Sequence, residues 1–219
     1  SRYGGGEQWH DIFRSGPGNT NRLKVVGNTF KITGATSGQG MFRFEGGVKD
    51  YYNNDLEVVS PGTNSARTLI YYGGDTGTDT SVFRSSAFSI ANTTSLSPGS
   101  WVFMGSNNSS PVKFFKNTVS LNGLIRGIVL QNTSGSIHQN TMVTTTRDYG
   151  LHLTNSNVSI KNNNFVGFDA SVYNENSSPS LNIHNNNTWD SPTPFSGTGL
   201  PPAIGSLIGT NANGTVSDI

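Results

Sequence analysis

Four asparagines, Asn117, Asn140, Asn163 and Asn186, lie 23 residues apart each time, and each sits inside the same short phrase. The phrase reads Phe114-Phe115-Lys116-Asn117-Thr118-Val119, then Ile137-His138-Gln139-Asn140-Thr141-Met142. It returns as Ile160-Lys161-Asn162-Asn163-Asn164-Phe165 and Ile183-His184-Asn185-Asn186-Asn187-Thr188. A strict period of this length means that each repeat is one structural unit stacked on the next, which is a solenoid.

Three looser copies precede these: Val25 to Phe30 around Asn28, Tyr51 to Leu56 around Asn54, and Phe83 to Phe88 with Ser86 in place of asparagine. Their intervals of 26, 32 and 31 residues imply loops inserted into the first coils. About seven coils follow. The residue three before the anchor is apolar in every copy, and the residue two after it is apolar in all but the last, where Thr188 stands. That spacing places an apolar side chain inward, a turn at the asparagine, and a second inward side chain on a new strand of period two. Asparagine tolerates left-handed backbone better than other non-glycine residues. Stacked at one corner, its side-chain amides can bond along the axis as an asparagine ladder. A second strand column runs through Met41-Phe42-Arg43-Phe44, Leu69 to Tyr72, Trp101-Val102-Phe103, Ile128-Val129-Leu130, Leu151-His152-Leu153 and Val172-Tyr173.

Composition agrees. The 219 residues include 26 Asn and 27 Gly, a mixture that disfavours helix and favours turns. Only 12% are charged, with a formal net charge of +1, which argues against nucleic acid as partner. No cysteine is present, so no disulfide or thiolate metal site staples the fold. No apolar run is long enough to span a membrane. Ser1, with neither a start methionine nor a signal-peptide pattern, reads as a processed or artificially chosen start. Residues 1–23 read as an entry segment or cap, 24–190 as the solenoid, and 191–219, with four prolines and no anchor, as a non-solenoid tail that caps the stack or contacts another chain.

The apolar-x-x-Asn-x-apolar phrase over about residues 24–190 resembles the single-coil repeat of right-handed parallel β-helix proteins, the pectin-lyase-like superfamily. The resemblance implies an all-β, single-stranded right-handed parallel β-helix. It also implies a setting among polysaccharide lyases, hydrolases and epimerases, or among bacteriophage tailspikes and fibres. The Asn-Thr-Asp, Asp-Asp, Gly-His-Gly and Arg-Ile-Lys signatures of polygalacturonase-like members are absent. The Gly/Asn/Ser/Thr bias, few coils and low charge look more like part of a tailspike or tail fibre.

Two sets of residues carry candidate chemistry. Asp148 and Asp169 each precede an aligned apolar residue, Leu151 and Val172, by three positions, so adjacent coils bring them one strand apart. With Arg126, Arg147 and His152 near, they form a pair suited to acid–base glycoside cleavage; the alternative is two solvated strand-entry residues. Tyr52, Tyr72 and Trp101, with Arg126 and His152, are the candidate carbohydrate-binding set, because aromatic faces stack on sugar rings and loops on a rigid scaffold carry binding groups. Half or more of those rings are equally needed in the core. Asp75 and Asp79 are a candidate calcium pair in a Gly-rich loop, lacking a third ligand. The expected function is recognition of a cell-surface polysaccharide by a homo-oligomeric extracellular or virion-surface domain, with a trimer as the candidate assembly. The alternatives are a depolymerase on the same scaffold or a purely structural fibre subunit.

Overall fold

The computed structural model describes residues 13–16, 23–33, 42–46, 49–60, 68–92, 100–122, 125–176, 180–202, 205 and 207–209. Among these every regular element is a strand, and every strand pairing is parallel. The chain winds through three faces and returns to the first, so that each strand pairs with its equivalent one coil away.

The first rung is β1 (Phe13–Ser15), β2 (Leu23–Val26) and β3 (Thr29–Thr33), and the second is β4 (Phe42–Glu45), β5 (Lys49–Tyr52) and β6 (Asp55–Ser60). The third is β7 (Thr68–Gly73), β8 (Ser81–Arg84) and β9 (Ala87–Asn92). In the next two rungs one long strand turns the corner between faces I and II: β10 (Ser100–Phe115) precedes β11 (Thr118–Asn122), and β12 (Ile125–His138) precedes β13 (Thr141–Thr144). Rung six is β14 (Tyr149–Thr154), β15 (Val158–Lys161) and β16 (Asn164–Val166); rung seven is β17 (Ala170–Asn176), β18 (Leu181–His184) and β19 (Asn187–Trp189). Seven rungs amount to about six full turns between first and last. The expectation of a parallel β-solenoid with an asparagine ladder holds.

Registers follow the phrase alignment. Phe114 pairs with Ile137, Ile137 with Ile160, and Ile160 with Ile183, and all four side chains are buried. Face III stacks Leu56, Phe88, Val119, Met142 and Phe165, and Thr188 continues this column fully buried. Face I contributes Phe103, Ile128, Leu151 and Val172. The early rungs fill their interior with aromatics: Phe42, Phe44, Tyr51, Tyr72, Phe83 and Phe103 are all buried, and neighbouring ring centroids lie 4.8–6.3 Å apart.

The ladder asparagines are buried at the corner between faces II and III, with Asn140, Asn163 and Asn186 fully so. The backbone N–H of Asn117 donates to Asn140 Oδ1, that of Asn140 to Asn163 Oδ1, and that of Asn163 to Asn186 Oδ1, each at 3.0 Å. Each Nδ2 reaches the opposite way as well: Asn140 donates to the Phe114 carbonyl, Asn163 to Ile137 and Asn186 to Ile160, all at 3.0 Å. Ser86 keeps the line unbroken with its hydroxyl, accepting from Asn54 N–H at 3.1 Å while its own N–H donates to Asn117 Oδ1.

One part of the expected turn geometry differs. The left-handed residue is the one before each anchor: Gly27, Asn53, Ser85, Lys116, Gln139, Asn162 and Asn185, with φ between 50° and 68°. Its N–H donates to the next rung, as Lys116 does to the His138 carbonyl at 3.3 Å and Gln139 to Lys161 at 3.1 Å. Repeated cross-rung bonds hold even Lys and Gln in a conformation they rarely adopt.

Both ends of the chain also depart from the expected boundaries. The first rung opens at Phe13, inside the segment expected to be a cap. After residue 190, β20 (Phe195–Gly197) pairs with β17 and β21 (Leu207–Gly209) pairs with β19, so the proline-bearing segment adds strands to two faces. Its prolines lie outside these two strands, where no ladder donor is lost. The apolar residues Ala203 and Ile204 lie outside the described residues.

Ile160→Ala should cost roughly 2–5 kcal/mol, the range for a buried large-to-small change. Asn163→Ala orphans the Asn140 N–H and the Ile137 carbonyl together and should cost about 2 kcal/mol or more. The solvent-facing Asn187→Ala should stay within about 0.5 kcal/mol. Chemical denaturation of the three variants checks this order; an Asn163→Ala effect no larger than that of Asn187→Ala contradicts the ladder.

Candidate functional site

Face I carries the groups expected to do chemistry. Its outward positions form a line along the axis: Arg43 beside Tyr71, Tyr71 beside Met104, Met104 beside Val129, Val129 beside His152, His152 beside Tyr173, and Tyr173 beside Ser196. At the entry edge of the same face Trp101 pairs with Arg126, and Tyr149 pairs with Ala170. Gly127 and Gly150 stand just inside this edge. A Cβ on Gly127 would lie 2.4 Å from the Gly150 carbonyl oxygen, and one on Gly150 would press on the Phe165 ring at 2.9 Å, so both positions require glycine.

Aromatic and charged groups converge at rungs five to seven. The Tyr149 and Tyr173 rings stack with centroids 4.3 Å apart at 15°. The Arg126 guanidinium lies 5.5 Å from the Tyr149 centroid, and the His152 ring meets Tyr149 edge-on at 5.5 Å. His152 Nε2 lies 3.1 Å from Glu175 Oε2, which also accepts from the Thr154 hydroxyl at 2.9 Å. A carboxylate only accepts, so Nε2 carries the proton and Nδ1 is left bare. Burial, and next the Arg126 charge, hold His152 below the ordinary imidazole pKa, against the opposing pull of Glu175 and Asp148.

Asp148 and Asp169 are neighbours, as their alignment implies: the Asp169 N–H donates to the Asp148 carbonyl at 3.0 Å. Their surroundings differ. Asp148 is half-buried; its Oδ1 accepts from the Tyr149 N–H at 2.8 Å and lies 3.8 Å from Arg126 Nε. Burial raises the Asp148 pKa, with Asp169 adding to the rise, against the Tyr149 N–H and Arg126. Asp169 is exposed, 3.9 Å from Arg147 Nη1, while Arg147 Nη2 holds Asp190 at 3.2 Å. One protonatable and one solvated carboxyl side by side can perform acid–base chemistry.

Trp101 Nε1, Arg126 Nε and His152 Nδ1 are buried without a hydrogen-bond partner, three of six such side-chain atoms among the described residues. Buried polar atoms are normally satisfied, and half of the exceptions fall on this one face.

The remaining expected residues lie elsewhere. Tyr72 is fully buried in the core, its hydroxyl donating to Asp75 Oδ2 at 2.7 Å and accepting from Ser81 Oγ at 3.0 Å. It presents no ring face to a ligand, because the ring packs inside, 6.0 Å from the Phe83 ring. Tyr52 sits on face II beneath Arg84, 4.3 Å from its ring centroid. Asp75 is buried and its Oδ1 accepts from the Gly77 N–H at 2.8 Å, whereas Asp79 is exposed in the same loop. No group of three or more His, Cys, Asp or Glu able to hold a metal occurs among the described residues. No helix among them is long and apolar enough to cross a membrane.

Sequence reasoning missed Tyr149, Tyr173 and Glu175. The signal was present: aligning Leu151 with Val172 already places His152 beside Tyr173 on the outward side. Comparison of the chain with protein-family models, curated proteins and solved structures returns no match. The fold rests on the strand registers themselves.

The sign of the pH dependence is fixed by the histidine. A folded pKa lowered below the unfolded one contributes stability at high pH, and that stability is lost as pH falls through the ordinary imidazole range and below. His152 should titrate below about 6.5 by NMR, and Glu175→Gln should lower it further. A His152 pKa unmoved by Glu175→Gln contradicts the contact.

Proposed function

We propose that this solenoid is a receptor-binding or adhesive domain, of the kind found in phage tail fibres and tailspikes, which recognises a cell-surface polysaccharide along face I. The observation that carries the reading is the Tyr149–Tyr173 stack beside Arg126, His152 and Trp101. Ser196, the register neighbour of Tyr173 on the next rung, is too small to cover that ring. Aromatic faces bound sugars, while Arg, His and carboxylate side chains bond their hydroxyls; a few polar groups among apolar surface is the composition of a ligand site. Seven strand spacings give the face a length of about 34 Å, suited to a chain ligand rather than a single sugar. The Gly/Asn/Ser/Thr-rich composition and the resemblance of the repeat support the fibre or tailspike setting on a virion or outside a cell. Three-fold association belongs to that reading, and a monomer by light scattering would remove it.

The second reading is a depolymerase. It is favoured by one observation, the raised pKa of Asp148 beside the exposed Asp169.

Incubation of the protein with surface glycans separates the two. For a binder, Tyr173→Ala and Trp101→Ala should each weaken retention on the glycan about tenfold, about 1.4 kcal/mol, with no reducing ends or unsaturated sugars released. Release of such products, abolished by Asp148→Asn or Asp169→Asn while binding survives, makes the protein an enzyme. Retention unaffected by either aromatic variant overturns the placement of the site on face I.

A further inference from the structure

Face II holds a different kind of surface. Its outward residues form two columns. One runs Val82, Lys113, Ser136, Ser159 and Asn182; the other runs Arg84, Phe115, His138, Lys161 and His184. From rung three to rung seven no aspartate or glutamate occurs in its strands. Lys116 adds a further cation, exposed at the turn beside Asn117. Among the described residues the ion pairs all lie elsewhere, joining Arg14 and Arg43 to Glu45, Lys31 to Glu57, Arg126 to Asp148, Arg147 to Asp169 and Asp190, and His152 to Glu175. Arg84, Lys113, Lys116 and Lys161 take part in none. In a chain of net charge +1 cations are therefore concentrated on rungs three to six of this face, with no ion pair to another described residue.

Between Lys113 and Lys161 the face is hollowed into an open concavity of about 470 Å³, lined also by Ser136, His138 and Ser159. His138 stacks flat on Phe115, centroids 4.8 Å apart. Burial, and next the Lys113 charge, lower its pKa, so the local field already resists further positive charge. An anion entering the concavity relieves that repulsion.

We propose that face II is a second binding strip, specific for acidic polysaccharide, whose carboxylate or sulfate groups are held by Lys113 and Lys161. The proposal rests on the polysaccharide reading above and places an additional, charge-selective contact on a different face. The spacing favours this occupant. Lys113 and Lys161 are two rungs apart, about 10 Å along the axis, and two residues, about 7 Å, apart across it; the rung between offers the Ser136 hydroxyl and the His138 imidazole. That pattern matches a polymer whose charged groups alternate with neutral, hydroxyl-bearing units. Duplex nucleic acid carries a charge about every 1.7 Å of axis and calls for a denser basic surface than Arg84, Lys113, Lys116 and Lys161 spread over rungs three to six.

Binding of the full chain to dextran sulfate, hyaluronate, uncharged dextran and duplex DNA, at low and moderate salt, tests this. The expected result is salt-sensitive binding to dextran sulfate, hyaluronate or both, and to neither dextran nor DNA; which polymer binds tells sulfate from carboxylate recognition. The double variant Lys113→Gln/Lys161→Gln should reduce that affinity at least tenfold with an unchanged circular dichroism spectrum and unfolding midpoint. Lys31→Gln, on face III and paired with Glu57, should leave it unaltered. Failure to bind either acidic polymer, equal binding by the double variant, or tighter binding of DNA overturns the proposal. Loss of acidic-polymer binding in Tyr173→Ala but not in the double lysine variant overturns it too, while leaving the face I reading intact.

Discussion

A buried side-chain amide that accepts from one rung and donates to another is the interaction on which this structure depends. At a corner of a solenoid the backbone leaves its strand, and the N–H and C=O groups there lose their ladder partners inside a dry interior. Each such group costs about 1–3 kcal/mol if left alone. Asn140 answers for several at once: its Oδ1 takes the Asn117 N–H, and its Nδ2 serves the carbonyls of Phe114 and His138 at 3.0 and 3.1 Å. Aspartate has no N–H to donate, and serine reaches fewer partners, which is why Ser86 is a local exception within the looser early rungs. The requirement for asparagine and the need to keep every rung in register are one constraint.

That constraint explains how much was legible. The 23-residue phrase identifies the corner, both inward positions and the parallel stacking, because one residue type at one spacing is needed every time. The opposite corner, between faces I and II, was not legible. There the inner line runs Asp75, Asn108, Thr133 and Ser156: the Asp75 N–H donates to Asn108 Oδ1 at 3.0 Å, and the Thr133 N–H to Ser156 Oγ at 3.3 Å. Four different side chains can each supply one oxygen, so no repeated letter marks the turn. Outside it Asn107, Asn132 and Asn155 form an exposed amide ladder at 2.7 and 2.8 Å, which composition hid among 26 asparagines. The strands after residue 190 were hidden in the same way, since a short rung with no anchor leaves no phrase to find.

The site was legible in part for a related reason. Periodicity says which positions share a column, and it brought Asp148 to Asp169 and Arg126 to His152. It does not say how wide the interior is. Nor does it say which ring points inward: Tyr72 is consumed by packing, while Tyr149 and Tyr173 turn outward. Tyr149 and Tyr173 are thus only partly buried on face I, while Phe165 and Phe168 of the same part of the chain are fully buried. Charge separates by face in turn, with the carboxylates of rungs six and seven around face I and the cations Arg84, Lys113 and Lys161 on face II.

Amide hydrogen exchange at the ladder corner tests the central claim most directly. The backbone N–H groups of Asn117, Asn140 and Asn163 are bonded to side-chain oxygens and should exchange as slowly as those of the buried strands. Replacing Asn163 by alanine should selectively release the Asn140 N–H while Asn117 stays protected. Fast exchange at all three positions in the unaltered protein, or no selective loss at Asn140 in the variant, would contradict a stack held by buried asparagines.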